Sequence, residues 1–209
     1  MDTVDQFVQA AGNGDAVLVE RMLGEGVAAA DALDSDRSTA LEKAVRGGHA
    51  HVVSLLAKAG SDLEQEVGTY QETTPLCLAA ALGQTAVVSA LLDAGIHPDA
   101  RNGMGYLALV MAATASRLGH PPTVDLLLDR GANIDAKMKD RTALDWAAAF
   151  GQVDMLRHLL ERGAEPRPAA LAIARSRAAR FPDDQRYEGV IGVLTAVGIR
   201  DGSASEQEA

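Results

Sequence analysis

Thr74-Pro75-Leu76-Cys77-Leu78-Ala79-Ala80-Ala81-Leu82-Gly83, followed directly by Gln84-Thr85-Ala86-Val87-Val88-Ser89-Ala90-Leu91-Leu92-Asp93-Ala94-Gly95, reads as two short helices, each closed by a glycine. The Thr74 hydroxyl can cap the first helix, and Pro75 suits a first turn that needs no amide donor. The second helix carries Val87, Val88, Leu91 and Leu92 at the spacing of a buried helical stripe. Gly95 stands where a helix needs a left-handed C-cap, and Gly83 where one helix must turn sharply into the next.

The same pair of glycines recurs along the chain as Gly14 and Gly26, Gly48 and Gly60, Gly119 and Gly131, and Gly151 and Gly163, always 12 residues apart. From pair to pair the first glycine advances by 34, 35, 36 and 32 residues. A constant inner spacing with a variable outer one describes a fixed unit joined by loops of changing length. Between the glycines lie stripes such as Val52-Val53-Ser54-Leu55-Leu56, Val124-Asp125-Leu126-Leu127-Leu128 and Val153-Asp154-Met155-Leu156. Ahead of them lie shorter helical segments, Thr39-Ala40-Leu41-Glu42-Lys43-Ala44 and Thr142-Ala143-Leu144-Asp145-Trp146-Ala147-Ala148.

In these segments the chain resembles the ankyrin family, whose repeat of about 33 residues carries a T-P-L-H-x-A signature. The resemblance is clear over residues 5 to 165 and weaker to about 200. It implies an all-α solenoid of stacked helix–turn–helix units with short hairpin or loop fingers. About six units are expected within a single domain spanning 1–200, approximately 3–33, 37–66, 72–101, 105–137, 140–166 and 168–200, the first and last being divergent caps. Residues 201–209 are small and acidic and are expected to be a disordered tail. There are two departures from the pattern. Gly119 stands six positions after Ala113 where Gly83 stands three after Ala80, an insertion of three around Thr114–Arg117. The finger Glu66–Thr73 is also longer than the family's by about two residues.

Composition narrows the function. Of 209 residues, 47% are hydrophobic and only 3% aromatic, so the apolar mass is mostly Ala, Leu and Val, suited to helices that approach closely. The net charge of −10 opposes phosphate backbones and disfavours nucleic acid as a partner. No uninterrupted apolar run reaches the ~18 residues of a membrane span. The acidic start Met1-Asp2-Thr3-Val4-Asp5 does not read as a secretory signal, and Cys77 is the only cysteine. The expected location is the cytoplasm. With no heptad seam, the expected state is a monomer.

No catalytic, metal or cofactor constellation stands out. His49 and His51 are two residues apart and diverge on a helix. His49 and His120 follow turn glycines, where the family places histidine for a structural hydrogen bond. Cys77, in the histidine position of T-P-L-H, reads as core, and Trp146 as packing between helices rather than as a ligand platform. Charge is uneven. The first 36 residues hold eight acids and one base, Arg21, while Arg167, Arg175, Arg177 and Arg180 meet no acid from 167 to 180. Solvated capping faces and electrostatic steering of a partner both account for this.

These features imply a protein–protein interaction module: an adaptor, scaffold or stoichiometric inhibitor of the immunity type. The alternative is an enzyme or small-ligand protein with a pocket near 114–117 and the finger 66–73. In the ankyrin pattern, partner-reading positions cluster at finger tips and just before the opening glycine, on the concave face. Mapped onto this chain, the fingers offer Arg37, then Tyr70 and Glu72, then Arg101, Met104 and Tyr106, then Met138 and Lys139. The helix ends offer Arg46, Leu82, Arg117 and Phe150. Tyr, Arg and Met are types enriched where interfaces concentrate their energy.

Overall fold

The computed structural model describes residues 2–67 and 73–199. The expected contact residues Tyr70 and Glu72, and the acidic tail 201–209, lie outside the described residues. Twelve α-helices and no strands occur among the described residues. They succeed one another as pairs. The first helices are α1 (Thr3–Gly12), α3 (Ala40–Gly47), α5 (Pro75–Ala81), α7 (Ala108–Thr114), α9 (Ala143–Ala149) and α11 (Pro168–Arg180). The second helices are α2 (Ala16–Gly24), α4 (Ala50–Lys58), α6 (Thr85–Asp93), α8 (Pro121–Asp129), α10 (Val153–Glu161) and α12 (Arg186–Ala196). The fold is an all-α ankyrin-type solenoid.

Every glycine of the five pairs has positive φ, from 66° at Gly26 and Gly119 to 103° at Gly95. These are left-handed positions that a side chain resists, which is why the spacing is so legible in the sequence. The threonines cap as expected. Thr39 accepts from the Glu42 amide (3.1 Å), Thr74 from Cys77 (3.3 Å) and Thr142 from Asp145 (3.2 Å). The fingers close on single antiparallel bridges, Leu33 with Thr39, Val67 with Thr73, and Met138 with Arg141.

The chain divides into two compact units, residues 1–112 with 122–132, and residues 113–121 with 133–209. In unit 1, α1, α3 and α5 pack in one row and α2, α4 and α6 in a second. Unit 2 repeats the rule, α9 against α11 and α10 against α12. Alanines line the first rows: Ala44, Ala79 and Ala80 in unit 1 and Ala147 and Ala148 in unit 2 are fully buried. Side chains this small let first helices approach closely, while Leu56 and Leu91 in unit 1 and Leu156 and Leu159 in unit 2 fill the space between rows.

Successive turns are joined by a recurring hydrogen bond. The residue after an opening glycine reaches back to the turn before it. His49 Nε2 donates to the Gly12 carbonyl (3.0 Å), Gln84 Nε2 to Arg46 (3.2 Å), and Gln152 Nε2 to Ser116. This is the structural role expected for His49. The three-residue insertion does not lengthen its helix: α7 has 7 residues, as do α5 and α9, and the extra length is shed as bends at 115–118. A Cβ on Gly119 would sit 2.5 Å from the Ala113 carbonyl oxygen, so the turn closes directly against the end of the helix.

Candidate functional site

In unit 2 the positions just before the opening glycine and on the finger gather around one aromatic pair. Trp146 and Phe150, four residues apart on α9, stack with ring centroids 5.7 Å apart and planes 20° from parallel. The Arg141 guanidinium lies 4.9 Å from the Trp146 ring centre. The indole N–H donates to the Met138 carbonyl (3.1 Å), which fixes the ring's orientation. Phe150 is exposed, and Trp146 and Arg141 are half-buried. Trp146, expected as packing between helices, is instead a partly open ring backed by a second ring and a cation, an arrangement signalled by its i, i+4 spacing from Phe150.

Met138, expected as an exposed finger residue, is instead buried at 8% exposure. The finger is a two-residue hairpin in which Lys139 (φ 51°) and Asp140 (φ 63°) are both left-handed, the type I′ pattern, and this turns Met138 inward while Lys139 stays exposed. Beneath it, Asp145 completes a capping box by accepting from the Thr142 amide (3.0 Å). Arg167 donates to the same Asp145 oxygen (2.6 Å) and to the Thr142 hydroxyl (3.2 Å). Arg167 therefore belongs to a largely buried ion pair.

In unit 1 the finger 101–106 is pinned from within. Asn102 Oδ1 accepts from the amides of Met104 (3.0 Å) and Tyr106 (2.9 Å), Arg101 donates to the Gly105 carbonyl (3.3 Å), and Glu66 accepts from the Gly103 amide (2.7 Å). The result projects Met104, 57% exposed, with Tyr106 half-buried beside it. Leu82 is exposed at the end of α5. Arg46 pairs with Glu42 (3.0 Å) and lines a groove with Lys43, Asp5, Asp34 and Asp36. Arg37 is exposed at its finger tip with φ 62°, where a glycine would be relaxed.

Arg117 falls with a different set. It lies with Leu118, the turn Gly151–Gln152 and Arg186, and with the turn that joins α11 to α12. In that turn Asp184 holds Arg186 through Nε (2.9 Å) and Nη2 (2.6 Å), and the hydrogen bond from Arg186 keeps the Asp184 carboxyl below the usual carboxylate range. Cys77 is fully buried, and burial pushes its thiol above the ordinary range despite an opposing hydrogen bond with Thr74. Among the described residues no cluster of three or more His, Cys, Asp or Glu side chains could hold a metal ion. None of the described helices is long and apolar enough to cross a membrane. Charge separates by unit. Unit 1 holds 17 acidic and 7 basic residues and unit 2 holds 12 of each, so the whole net charge of −10 falls on unit 1.

Paired helices on left-handed glycine turns, threonine caps and hairpin fingers define a repeat protein of the ankyrin class. A family model for ankyrin repeats (3 copies) matches residues 7–102 and 100–169, and the chain belongs to that family. Among curated proteins it is 33% identical over 135 residues to the transient receptor potential cation channel subfamily A member 1 homolog of Caenorhabditis elegans, covering 64% of this chain and 11% of that protein. It is 32% identical over 138 residues to the ankyrin repeat domain-containing protein SAT10 of Stachybotrys chartarum, covering 66% of this chain and 7% of that one. The chain thus matches only a small part of these relatives. Two solved structures are similar along nearly the whole chain. The ankyrin repeat domain of Bcl-3, described as a member of the IkappaB protein family, is 28% identical with a TM-score of 0.77, over 93% of this chain and 86% of that one. The human ASB11 ankyrin repeat domain is 25% identical with a TM-score of 0.70, over 93% and 84%. Ankyrin repeats are generally protein-interaction modules.

Proposed function

We propose that this chain acts by holding another protein against the exposed ends of its first helices and its fingers, as a monomeric cytoplasmic adaptor or stoichiometric inhibitor and without catalysis of its own. The observation that carries the reading is the Arg141–Trp146–Phe150 stack. Folding does not require three large side chains to be spent on a partly open surface, yet the indole is oriented by a hydrogen bond and held beside a second ring and a guanidinium. Rigid aromatic surface held in this way loses little entropy on binding and is the usual material of interface hot spots. Lys139 at the adjacent finger tip belongs to the same surface. In unit 1, Arg37, Arg46, Leu82, Arg101, Met104 and Tyr106 form the corresponding set, and Tyr70 and Glu72 belong to it by their place in the finger sequence.

The test is a binding measurement with the Trp146→Ala/Phe150→Ala double variant. A partner captured on the immobilised wild-type chain should bind the variant at least ~30-fold more weakly, about 2 kcal/mol, the scale of a hot spot. The far-UV circular dichroism of the variant should be unchanged. A variant that binds at full strength removes the α9 face from the interface.

A further inference from the structure

The face built on α9 carries a charge that unit 2 as a whole does not show. The stretches 137–150 and 167–180 hold the hairpin finger and the first helices α9 and α11. They contain seven bases and two acids, Asp140 and Asp145. Asp145 is already taken by Arg167 (2.6 Å). Six bases are left against Asp140, although unit 2 holds 12 acids and 12 bases. The other acids of the unit stand on the second helices, the connecting loops and the tail. Unit 2 is therefore neutral by segregation, with its positive charge on the first-helix side.

The two first helices share a register. Ala143, Leu144 and Ala147, buried in α9, recur 27 residues later as Ala170, Leu171 and Ala174, buried in α11. The same step carries Trp146 to Ile173 and Phe150 to Arg177. Because α11 packs against α9, Ile173 and Arg177, both half-buried, continue the side of the row on which the two rings stand. Arg141 and Arg177 are half-buried cations without a counter-ion. Among the described residues no hydrogen bond or ion pair engages either guanidinium, and Arg141 meets the Trp146 ring at 4.9 Å. Asp140, next to Arg141 in the chain, forms no ion pair with it. A guanidinium offers five N–H donors and no acceptor, and one held beside an aromatic ring keeps its fork for a carboxylate.

We propose that this face selects a partner through an acidic segment, with carboxylates on Arg141 and Arg177 and an apolar side chain on Phe150 and Trp146. The inference rests on the reading of the first-helix ends as the partner surface and adds the chemistry of what lies there. Protein carboxylates suit it better than a phosphate backbone, because the chain's net charge of −10 repels a long polyanion.

Fluorescence anisotropy on the full chain tests this with a short labelled peptide in which glutamates flank a central phenylalanine. Glutamine and lysine versions of the same peptide serve for comparison. The glutamate peptide should bind at least ~10-fold more tightly than the glutamine one, and the lysine peptide more weakly than either. The difference should shrink as salt is added. Arg141→Gln/Arg177→Gln should erase the difference and leave the affinity for the glutamine peptide as it was, a split that loss of folding would not give. Trp146→Ala/Phe150→Ala should weaken binding of the glutamate and glutamine peptides alike. Equal affinity for all three peptides, lost in the aromatic variant, would overturn the acidic segment and leave the helix-face reading standing. Binding that survives the aromatic variant overturns the proposal, as does tighter binding to oligothymidylate. If no peptide binds, the proposal also falls, and the helix-face reading is decided by the captured partner alone.

Discussion

Asp145→Ala should destabilise unit 2 by about 2–3 kcal/mol. The carboxylate has two partners on the same oxygen: the Thr142 amide, as half of a capping box, and Arg167. Loss of the cap costs about 1 kcal/mol. Loss of the charge strands Arg167. Severing a fully buried pair costs about 3–5 kcal/mol, but the Arg167 side chain is 25% exposed and can regain water, which brings this part down to about 1–2 kcal/mol. Arg167→Met strands the other partner. The Asp145 side chain is only 3% exposed, so although it keeps Thr142, this change should cost at least as much as would be expected for Arg167 stranded alone. The double variant should cost less than the sum of the two by about 1 kcal/mol or more. Urea unfolding gives the numbers. Trp146, the only tryptophan of the chain, sits on the capped helix and reports on unit 2, while circular dichroism reports on all helices. With a slope of about 2 kcal/mol/M, the Asp145→Ala midpoint should fall by roughly 1 M. Additivity within ~0.5 kcal/mol, or an unchanged midpoint, would show that the pair is not coupled and refute the reasoning.

Two further changes test the turns and the core. Gly14→Ala and Gly26→Ala both place a side chain at positive φ, but a Cβ on Gly14 would lie 2.5 Å from His49 Nδ1, whereas none lies within 4 Å at Gly26. The first should lower stability by about 2–3 kcal/mol, through backbone strain and loss of the His49 bond, and the second by only about 1 kcal/mol; equal melting temperatures would show that the His49 contact carries no weight. Cys77 should resist thiol reagents in the native chain and react once it unfolds. Because burial raises the folded thiol's pKa, the unfolded chain releases its proton first, so stability should decline as pH rises through the ordinary thiol range; rapid labelling of the native chain would place Cys77 outside the core.

The turns and caps can be read from sequence because each rests on local chemistry. A left-handed residue calls for glycine, and a helix start calls for a hydroxyl at a fixed offset, so ten glycines and three threonines mark the repeats. The finger tips cannot be read in the same way. Arg37, Lys139 and Asp140 occupy left-handed positions without the glycine that would announce them, and the hairpin at 138–141 is what turns Met138 inward. In sequence Arg167 is one of a run of free bases, since its partner Asp145 lies 22 residues earlier and only the stacking of α11 on α9 brings them together. Trp146 is within reach of the sequence. Its spacing from Phe150 places both rings on one side of the helix, but exposure depends on what covers that side, and this is a tertiary fact. Arg117 would belong to the helix-end face if the inserted residues continued α7; they leave it.

The bond from each post-glycine side chain to the preceding turn has a practical corollary for engineering. Spacing between neighbouring turns is gauged across space, by a side-chain N–H on a carbonyl, and not along the peptide. The acceptor lies two residues before the opening glycine at Gly12 and Arg46 but three before it at Ser116, and Gln152 grips it all the same. This linker is three residues longer than its counterpart before Gly83, yet the bond from Gln152 to the preceding turn is made. Ala115–Leu118 is consequently a place to graft or randomise a display loop, provided that Ser116 keeps its carbonyl in place and Gly119 stays a glycine.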